Sequence, residues 1–360
     1  PLYSSAASDV YKRQSLDCEV SAMSTKPTIS QIADMSGVSI ATVSRFINNT
    51  AAVKGSTAKK IMEAIHSLDY PLPESFIATN TKKDGKVILI NIPSVSNPFY
   101  NDVIKGAQDA ALRHDYYTLV NVQHLNSSTE STFFNLLNNI NLCGAIILNA
   151  MDQGYFNSLY HTIPFVQCCE YTENQNLVSY TSIDDVAAAK TMMEYILSTG
   201  HTKIAFLCGP DRYKYARQRK AGYLQTLEAA HIPLNKDWII QLPELDFDMA
   251  LSSTHQLMSQ KEHPTAVFAV SDVLAAAAIR GCRLAGLSVP ADIIVTGFDN
   301  VNISQATSPP ITTINQPKYQ MGYMACELLI EKLNTPGAKP RQVLLNTELI
   351  IRESTQRQRT

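Results

Sequence analysis

Five side chains in the stretch Ser36–Asn49, SGVSIATVSRFINN, fall at i, i+1, i+4, i+5 and i+8: Ile40, Ala41, Ser44, Arg45 and Asn48. On a helix these offsets form one stripe. The stripe is small, polar and singly charged, which suits a DNA major groove. Short residues permit close approach, a guanidinium forks onto guanine, and a helix N-terminus faces phosphate. Thr28, Ser39 and Thr42 are hydroxyls placed for phosphate contacts. The same composition could decorate a solvated helix. Against that stand Ala33, Gly37 and Val43, at the offsets of a helix-turn-helix. There a small residue is wanted where helices cross, a glycine at a turn with φ > 0, and a valine to pack the second helix on the first.

Catalysis finds no candidate. The fourteen glycines include no Gly-x-Gly pair, so the chain lacks both a dinucleotide fingerprint and a phosphate-binding loop. It has no Gly-x-Ser-x-Gly elbow and no clustered His, Cys and Asp at metal-ligand spacing. A non-enzyme without metal or cofactor is expected. The seven cysteines include no Cys-x-x-Cys pair, which suits reduced, mostly buried thiols in a cytoplasm. Cys168 and Cys169 are adjacent; they read as strand filler, with a redox pair as the alternative.

The elements that must carry the stripe are short. Thr28-Ile-Ser-Gln31 has capping-box spacing, Ser36-Gly37-Val38 breaks the first helix, and Ser39 can cap a second running to about Ile47. Gly55-Ser56-Thr57 opens a third, with Ile61, Ile65 and Leu68 on one face. After Lys86 the pattern changes to apolar runs, VILINIP, YTLVNVQ, GAIILNA, FVQCCE, KIAFLCG, AVFAVS and IIVTGFD, separated by helix-length amphipathic segments. Continuous β-rich runs alternating with helices predict parallel strands buried on both faces, an α/β architecture. Two later runs, ITTINQ and VLLNTELII, flank a helix from about Lys318 to Leu333.

The expected organisation is a helix-turn-helix headpiece over 23–70, a hinge over 71–85 and a two-lobed core over 86–356. Lobe one takes about 86–183 with 317–342, and lobe two 184–315 with 343–356. Residues 1–22 are expected to be a non-native leader, because Ser4–Gln14 reads as a translated sequencing adapter and the first methionine is Met23. The net charge is −2, but residues 23–83 sum to +3, a slightly basic head on an acidic body. No run is long and apolar enough to cross a membrane.

The segment TISQIADMSGVSIATVSRFINN resembles the headpiece of the lactose/galactose repressor family almost position by position, with that family's Ala-Thr-Val-Ser-Arg standing as Ala41–Arg45. NPFYNDVIKGAQDAA, GHTKIAFLCGP, ARQRKAGY, SDVLAAAAIRGCRLAGLSVP, GFDN, PPITTINQP and ELIIRES follow as further landmarks in family order. The resemblance implies a core like periplasmic binding proteins, two lobes of doubly wound parallel sheet enclosing a small effector. It also implies a homodimer on double-stranded operator DNA. The usual hinge leucine is missing after Tyr70-Pro-Leu-Pro; Phe76 or Ile77 could wedge into the minor groove instead, or the hinge could stay flexible.

Carried onto this chain, the resemblance puts Phe99 and Tyr100 against an effector ring, Tyr213 and Tyr215 at the effector, and Arg219 in Arg-x-Ala-Gly as its forked donor. Asp299 ends the run GFD, where a carboxylate can accept from ligand hydroxyls; Glu170 ends FVQCCE; and Ser271, ahead of a helix, is either a contact or an N-cap. Rings, hydroxyls, one arginine and carboxylates suit a nucleoside or a sugar, and a likeness to the family's cytidine-regulated branch tilts toward the nucleoside. The function expected is repression of transcription modulated by that effector. The alternative is an exported solute-binding protein, which would need a signal peptide and no headpiece.

Overall fold

The computed structural model describes residues 27–48, 53, 55–68, 70–72, 86–126, 128–173 and 176–356. The chain forms two compact units, 1–79 and 80–360. The leader 1–22 and the hinge candidates Phe76 and Ile77 lie outside the described residues.

In the first unit the capping box forms. The Gln31 amide N–H donates to Thr28 Oγ1 at 3.4 Å and the Thr28 N–H donates to Gln31 Oε1 at 2.8 Å, opening helix α1 (Ile29–Ser36). Gly37 at φ 68° ends it in the left-handed region that glycine enters without steric cost. Ser39 Oγ accepts from the Thr42 N–H at 3.2 Å and caps α2 (Ile40–Ile47). Helix α3 (Gly55–Ser67) closes the bundle over Ile32, Ala33, Val43, Ile47, Ile61, Ala64 and Ile65. Burial of this small core is what stabilises helices too short to persist alone.

The second unit holds two parallel sheets. In the first, the strand order is β11 (Gln342–Leu344), β5 (Tyr180–Ser182), β4 (Phe165–Cys168), β3 (Leu142–Ile147), β1 (Val87–Ile92) and β2 (Tyr117–Val122). In the second it is β7 (Ile239–Gln241), β6 (Ile204–Cys208), β8 (Ala266–Ala269) and β9 (Ile294–Thr296). An antiparallel pair, β10 (Thr313–Asn315) with β12 (Glu348–Ile350), continues beside β9 through the Thr296–Thr312 and Asp299–Asn315 bridges. The alternation of side chains explains the continuous apolar runs. On β1, Ile88, Ile90 and Ile92 enter one core cluster while Leu89 enters another on the opposite face.

Helices α4 (Phe99–Arg113), α5 (Glu130–Asn139), α6 (Gln153–Tyr160) and α12 (Lys318–Asn334) belong with the first sheet. Helices α7 (Asp185–Ser198), α8 (Lys214–Ala229), α9 (Phe247–Met258), α10 (Asp272–Leu284) and the short α11 (Ile303–Ala306) belong with the second. Glycine permits the close crossing of α4 on α12: a Cβ at Gly322 would lie 1.9 Å from Val103 O, and one at Gly106 would lie 2.0 Å from Tyr319 O.

The run VLLNTELII, expected as one closing strand, is two. β11 pairs with β5 in the first sheet and β12 with β10 in the antiparallel pair beside the second, so the lobe boundary set at 342/343 moves past Leu344. The reason is chain geometry: residues 345–347 span the gap between sheets, and no strand can bridge two cores. The chain crosses between lobes there and also at 183–184 and 316–317.

Candidate functional site

On the headpiece, Val43 and Ile47 are buried and Phe46 half-buried, while Ala41, Arg45, Asn48 and Ile40, the last 54% exposed, face outward. Ser44 and Thr42 are half-buried, and Asn48 Nδ2 donates to Ser44 Oγ at 3.2 Å, tying two members of the stripe. Thr28 and Ser39 are exposed at the starts of α1 and α2, with their hydroxyls engaged in capping. Arg45 is therefore the single cation on an otherwise small, exposed helix face.

In the second unit a cleft of about 440 Å³, continuous with solvent, opens at the carboxyl ends of both sheets. Phe99 and Tyr100 line it from the start of α4, with ring centroids 5.5 Å apart and edge to face. Tyr215 and Arg219 line it from α8, Ser271 from the N-cap of α10, and Asp299 from the loop after β9. Two crossing segments contribute as well, through Ile183 and Gln316. Any change in the angle between the lobes therefore changes the cleft.

Its floor is ionic. Asp185, at the first position of α7, accepts from Lys214 Nζ at 2.7 Å and from Arg219 Nε at 2.8 Å. Arg219 also donates to Val270 O at 2.6 Å and reaches Asp299 Oδ1 at 3.4 Å, with its guanidinium 3.6 Å from the Phe298 ring centroid. Gln316 Nε2 donates to the same Asp299 oxygen at 2.7 Å, and Lys318 Nζ donates to Asp299 O at 2.5 Å. Among the described residues, the second terminal nitrogen of Arg219 and the second carboxylate oxygen of Asp299 take no hydrogen bond. Asp299 sits at φ 107°, a conformation rare for a side chain with a Cβ, and such strain concentrates at functional sites.

Glu170 plays a different part. Its two oxygens accept from the backbone N–H groups of Lys214 at 2.7 Å and Tyr215 at 3.1 Å, so a residue from the first lobe caps α8 of the second. Burial pushes its carboxyl up to about 7 against the pull of Lys214 and those amides. Burial likewise pushes Asp299 up to about 6, offset by Arg219 and Lys318. Burial opposes the charge on Asp185 too, but Lys214 and Arg219 outweigh it and hold that carboxyl below its ordinary value. Burial opposes the charge on Lys214 and Arg219, but Asp185, together with Glu170 for Lys214 and with Asp299 for Arg219, holds both above their ordinary values.

Phe99, Tyr100, Glu170, Tyr215, Arg219, Ser271 and Asp299 thus converge on one cleft. Tyr213 does not line it. Its ring is stacked behind Tyr215 at 5.4 Å, beneath the Arg212 guanidinium, and its hydroxyl lies 3.4 Å from His124 Nδ1. Sequence reasoning missed Asp185, Lys214 and Gln316. Lys214 stands between the two tyrosines that were singled out, and Asp185 follows Asp184, the N-cap of α7, so it reads as a second capping acid. No local signal marked the pair, because Asp185 finds Lys214 and Arg219 from 29 and 34 residues away.

Residues 28–71 match the family model described as bacterial regulatory proteins, lacI family, and residues 193–355 match a periplasmic binding protein-like domain. The chain is 31% identical to the NTD biosynthesis operon regulator NtdR of Bacillus subtilis, over 91% of this chain and 100% of that one. The chain belongs to the LacI family. Its LacI-family relatives also include the HTH-type transcriptional repressor CytR of Escherichia coli, 29% identical over 92% of this chain and 97% of that one. A LacI-family regulator from Enterococcus faecium with bound ribose superposes with a TM-score of 0.66 at 25% identity, covering 75% of this chain and 98% of that one. As a LacI-family chain it is a DNA-binding transcriptional regulator. No described helix is long and apolar enough to cross a membrane.

Proposed function

We propose that this regulator is a dimeric repressor whose operator affinity is set by a small polyhydroxylated effector, a nucleoside in preference to a plain sugar. One observation carries the reading. At the cleft floor a donor and an acceptor, Arg219 and Asp299, lie side by side with one polar atom of each left over, opposite the rings of Phe99 and Tyr100. Adjacent hydroxyls of a ribose can accept from the guanidinium and donate to the carboxylate, while a base lies against the aromatic wall. The ribose bound in the Enterococcus structure fits a ligand of either class, and the likeness to the family's cytidine-regulated branch supports the nucleoside. Because Ile183 and Gln316 sit on lobe crossings, occupancy favours one lobe angle, and coupling to DNA of about 1–3 kcal/mol is expected. On the headpiece, Ile40, Ala41, Ser44, Arg45 and Asn48 read bases, and Thr28, Ser39 and Thr42 take phosphates.

Calorimetric titration of the full chain with nucleosides, nucleobases and simple sugars tests the effector class. Binding of a nucleoside that Asp299→Asn weakens about tenfold or more is expected. Binding of sugars alone would overturn the nucleoside preference, and nucleoside binding unaffected by Asp299→Asn would overturn the site.

A further inference from the structure

The thiols of Cys168 and Cys169 have no part in effector recognition as described above. Cys168 ends β4 and is fully buried; Cys169 is half-buried and lines the cleft. Consecutive side chains of a strand point to opposite faces, so adjacent cysteines in a strand hold their sulfurs apart. Here the alternation is broken. Cys169 has φ 68°, and the Glu170 N–H closes onto Cys168 O at 2.8 Å, the pattern of a classic γ-turn, which is rare and strained. The turn brings the two sulfurs to 3.6 Å. A glycine at 169 would make the same turn without steric cost, so the turn by itself does not call for a thiol. Two hydrogen bonds pin the segment: the Cys169 N–H donates to Thr181 O at 2.8 Å, and Ser182 Oγ donates to Cys169 O at 2.8 Å. The Thr181 hydroxyl donates to Cys168 Sγ at 3.4 Å.

We propose that Cys168 and Cys169 form a dithiol modification site on the wall of the cleft, closed to a disulfide between neighbours by hydrogen peroxide. Cys169, the thiol on the cleft, attacks one peroxide oxygen; the O–O bond breaks, water leaves, and a sulfenic acid remains. The Cys168 sulfur then attacks the Cys169 sulfur; the S–S bond forms, the S–O bond breaks, and a second water leaves. Two thiols lose two electrons and two protons, and one peroxide becomes two waters. Burial, Cys168 and Glu170 keep the Cys169 thiol protonated against the pull of Lys214, so the reaction is slow and answers sustained peroxide. Closure draws the sulfurs from 3.6 Å to about 2 Å and pulls Cys169 away from the wall it shares with Phe99 and Tyr100.

The test treats the reduced full chain with hydrogen peroxide, alkylates free thiols, and reads the 168–169 peptide by mass. Oxidation of Met35, 57% exposed, serves as an internal clock. The expected result is a peptide lacking two hydrogens and carrying no alkyl group, restored by dithiothreitol. Cys169→Ser, at the half-buried position, should abolish that product and leave Cys168 alkylatable once the chain is unfolded. Cys168→Ser should stop at a sulfenic acid that dimedone traps on Cys169. Two free thiols at 168 and 169 once Met35 has become the sulfoxide would overturn the proposal. So would Cys169 running to sulfinic acid beside a free Cys168.

Discussion

Replacing Asp185 by Asn leaves two buried cations short of their counter-ion. The Asp185, Lys214 and Arg219 side chains are 2%, 1% and 5% exposed, so water offers little compensation. Breaking a buried pair by removing one partner costs about 3–5 kcal/mol. Asparagine can still accept one hydrogen bond, and Arg219 keeps Val270 O at 2.6 Å and Asp299 at 3.4 Å. Lys214 keeps Ser182 Oγ at 2.9 Å and the Tyr171 ring, whose centroid lies 4.5 Å from its ammonium. The loss therefore falls near the lower end, about 3 kcal/mol, or roughly 6–12 °C in Tm for a unit of this size. Calorimetry at pH 7, without added ligand, measures it. Adding Lys214→Met to Asp185→Asn removes the stranded charge, and the double variant should recover part of the loss. Asp185 has a depressed carboxyl in the folded chain, so its contribution is present above its ordinary value and is lost as pH falls through the folded one. Parent and Asp185→Asn should accordingly converge in acid. A Tm within about 1 °C of the parent at pH 7, or a double variant worse than the sum of the singles, would refute the ionic floor.

Glu170, raised to about 7, binds its proton more tightly folded than unfolded, so its contribution is complete in acid and fades as pH rises through about 7. Glu170→Gln should flatten the fall in Tm between about pH 5 and 8, though Asp299 and Asp272 titrate in the same direction; parallel profiles would remove Glu170 from the account. Gly322→Ala places a methyl group 1.9 Å from Val103 O, and a loss of about 1–3 kcal/mol in urea unfolding is expected despite alanine's better helix propensity. On the headpiece, Ser39→Ala removes the cap of α2 and should cost about 1 kcal/mol of stability. Arg45→Ala should leave stability unchanged within about 0.5 kcal/mol and weaken operator binding by about 1–3 kcal/mol, a separation readable by denaturation alongside a gel-shift titration.

The headpiece was legible because its determinants are local. A capping box, a left-handed glycine and residues four apart act within one or two turns, and Thr28, Gly37, Ser39 and Ile61 appear in the structure in the roles their spacing implied. Most of the main strands were legible for another reason, since burial on both faces leaves continuous apolar runs; β2, read in the same way, lies at the sheet edge and is only half-buried, with Tyr117 and Val122 exposed. The short strands β5 and β7 were not legible, since neither Tyr180–Ser182 nor Ile239–Gln241 stands inside a longer apolar run of the kind that marked β9. Nor was the split of the last run, where the pairing partner lies in a different sheet and not in the adjacent sequence.

The cleft divides along the same line. A place at a strand end nominated Asp299, and the family resemblance nominated Phe99, Tyr100 and Arg219; all four line the cleft. The sequence alone determined the two-part plan, the exposed stripe of α2 and the alternation that builds both lobes. Tertiary structure decided what the cleft floor is made of. Asp185 meets Lys214 and Arg219 from 29 and 34 residues away, Glu170 caps a helix 44 residues downstream, and Tyr213 turns behind Tyr215. The Glu170 cap forms only where the two lobes meet, the Asp185 pairs form only where α7 packs on α8 within the second lobe, and no local rule of spacing encodes distances that close only in the packed fold.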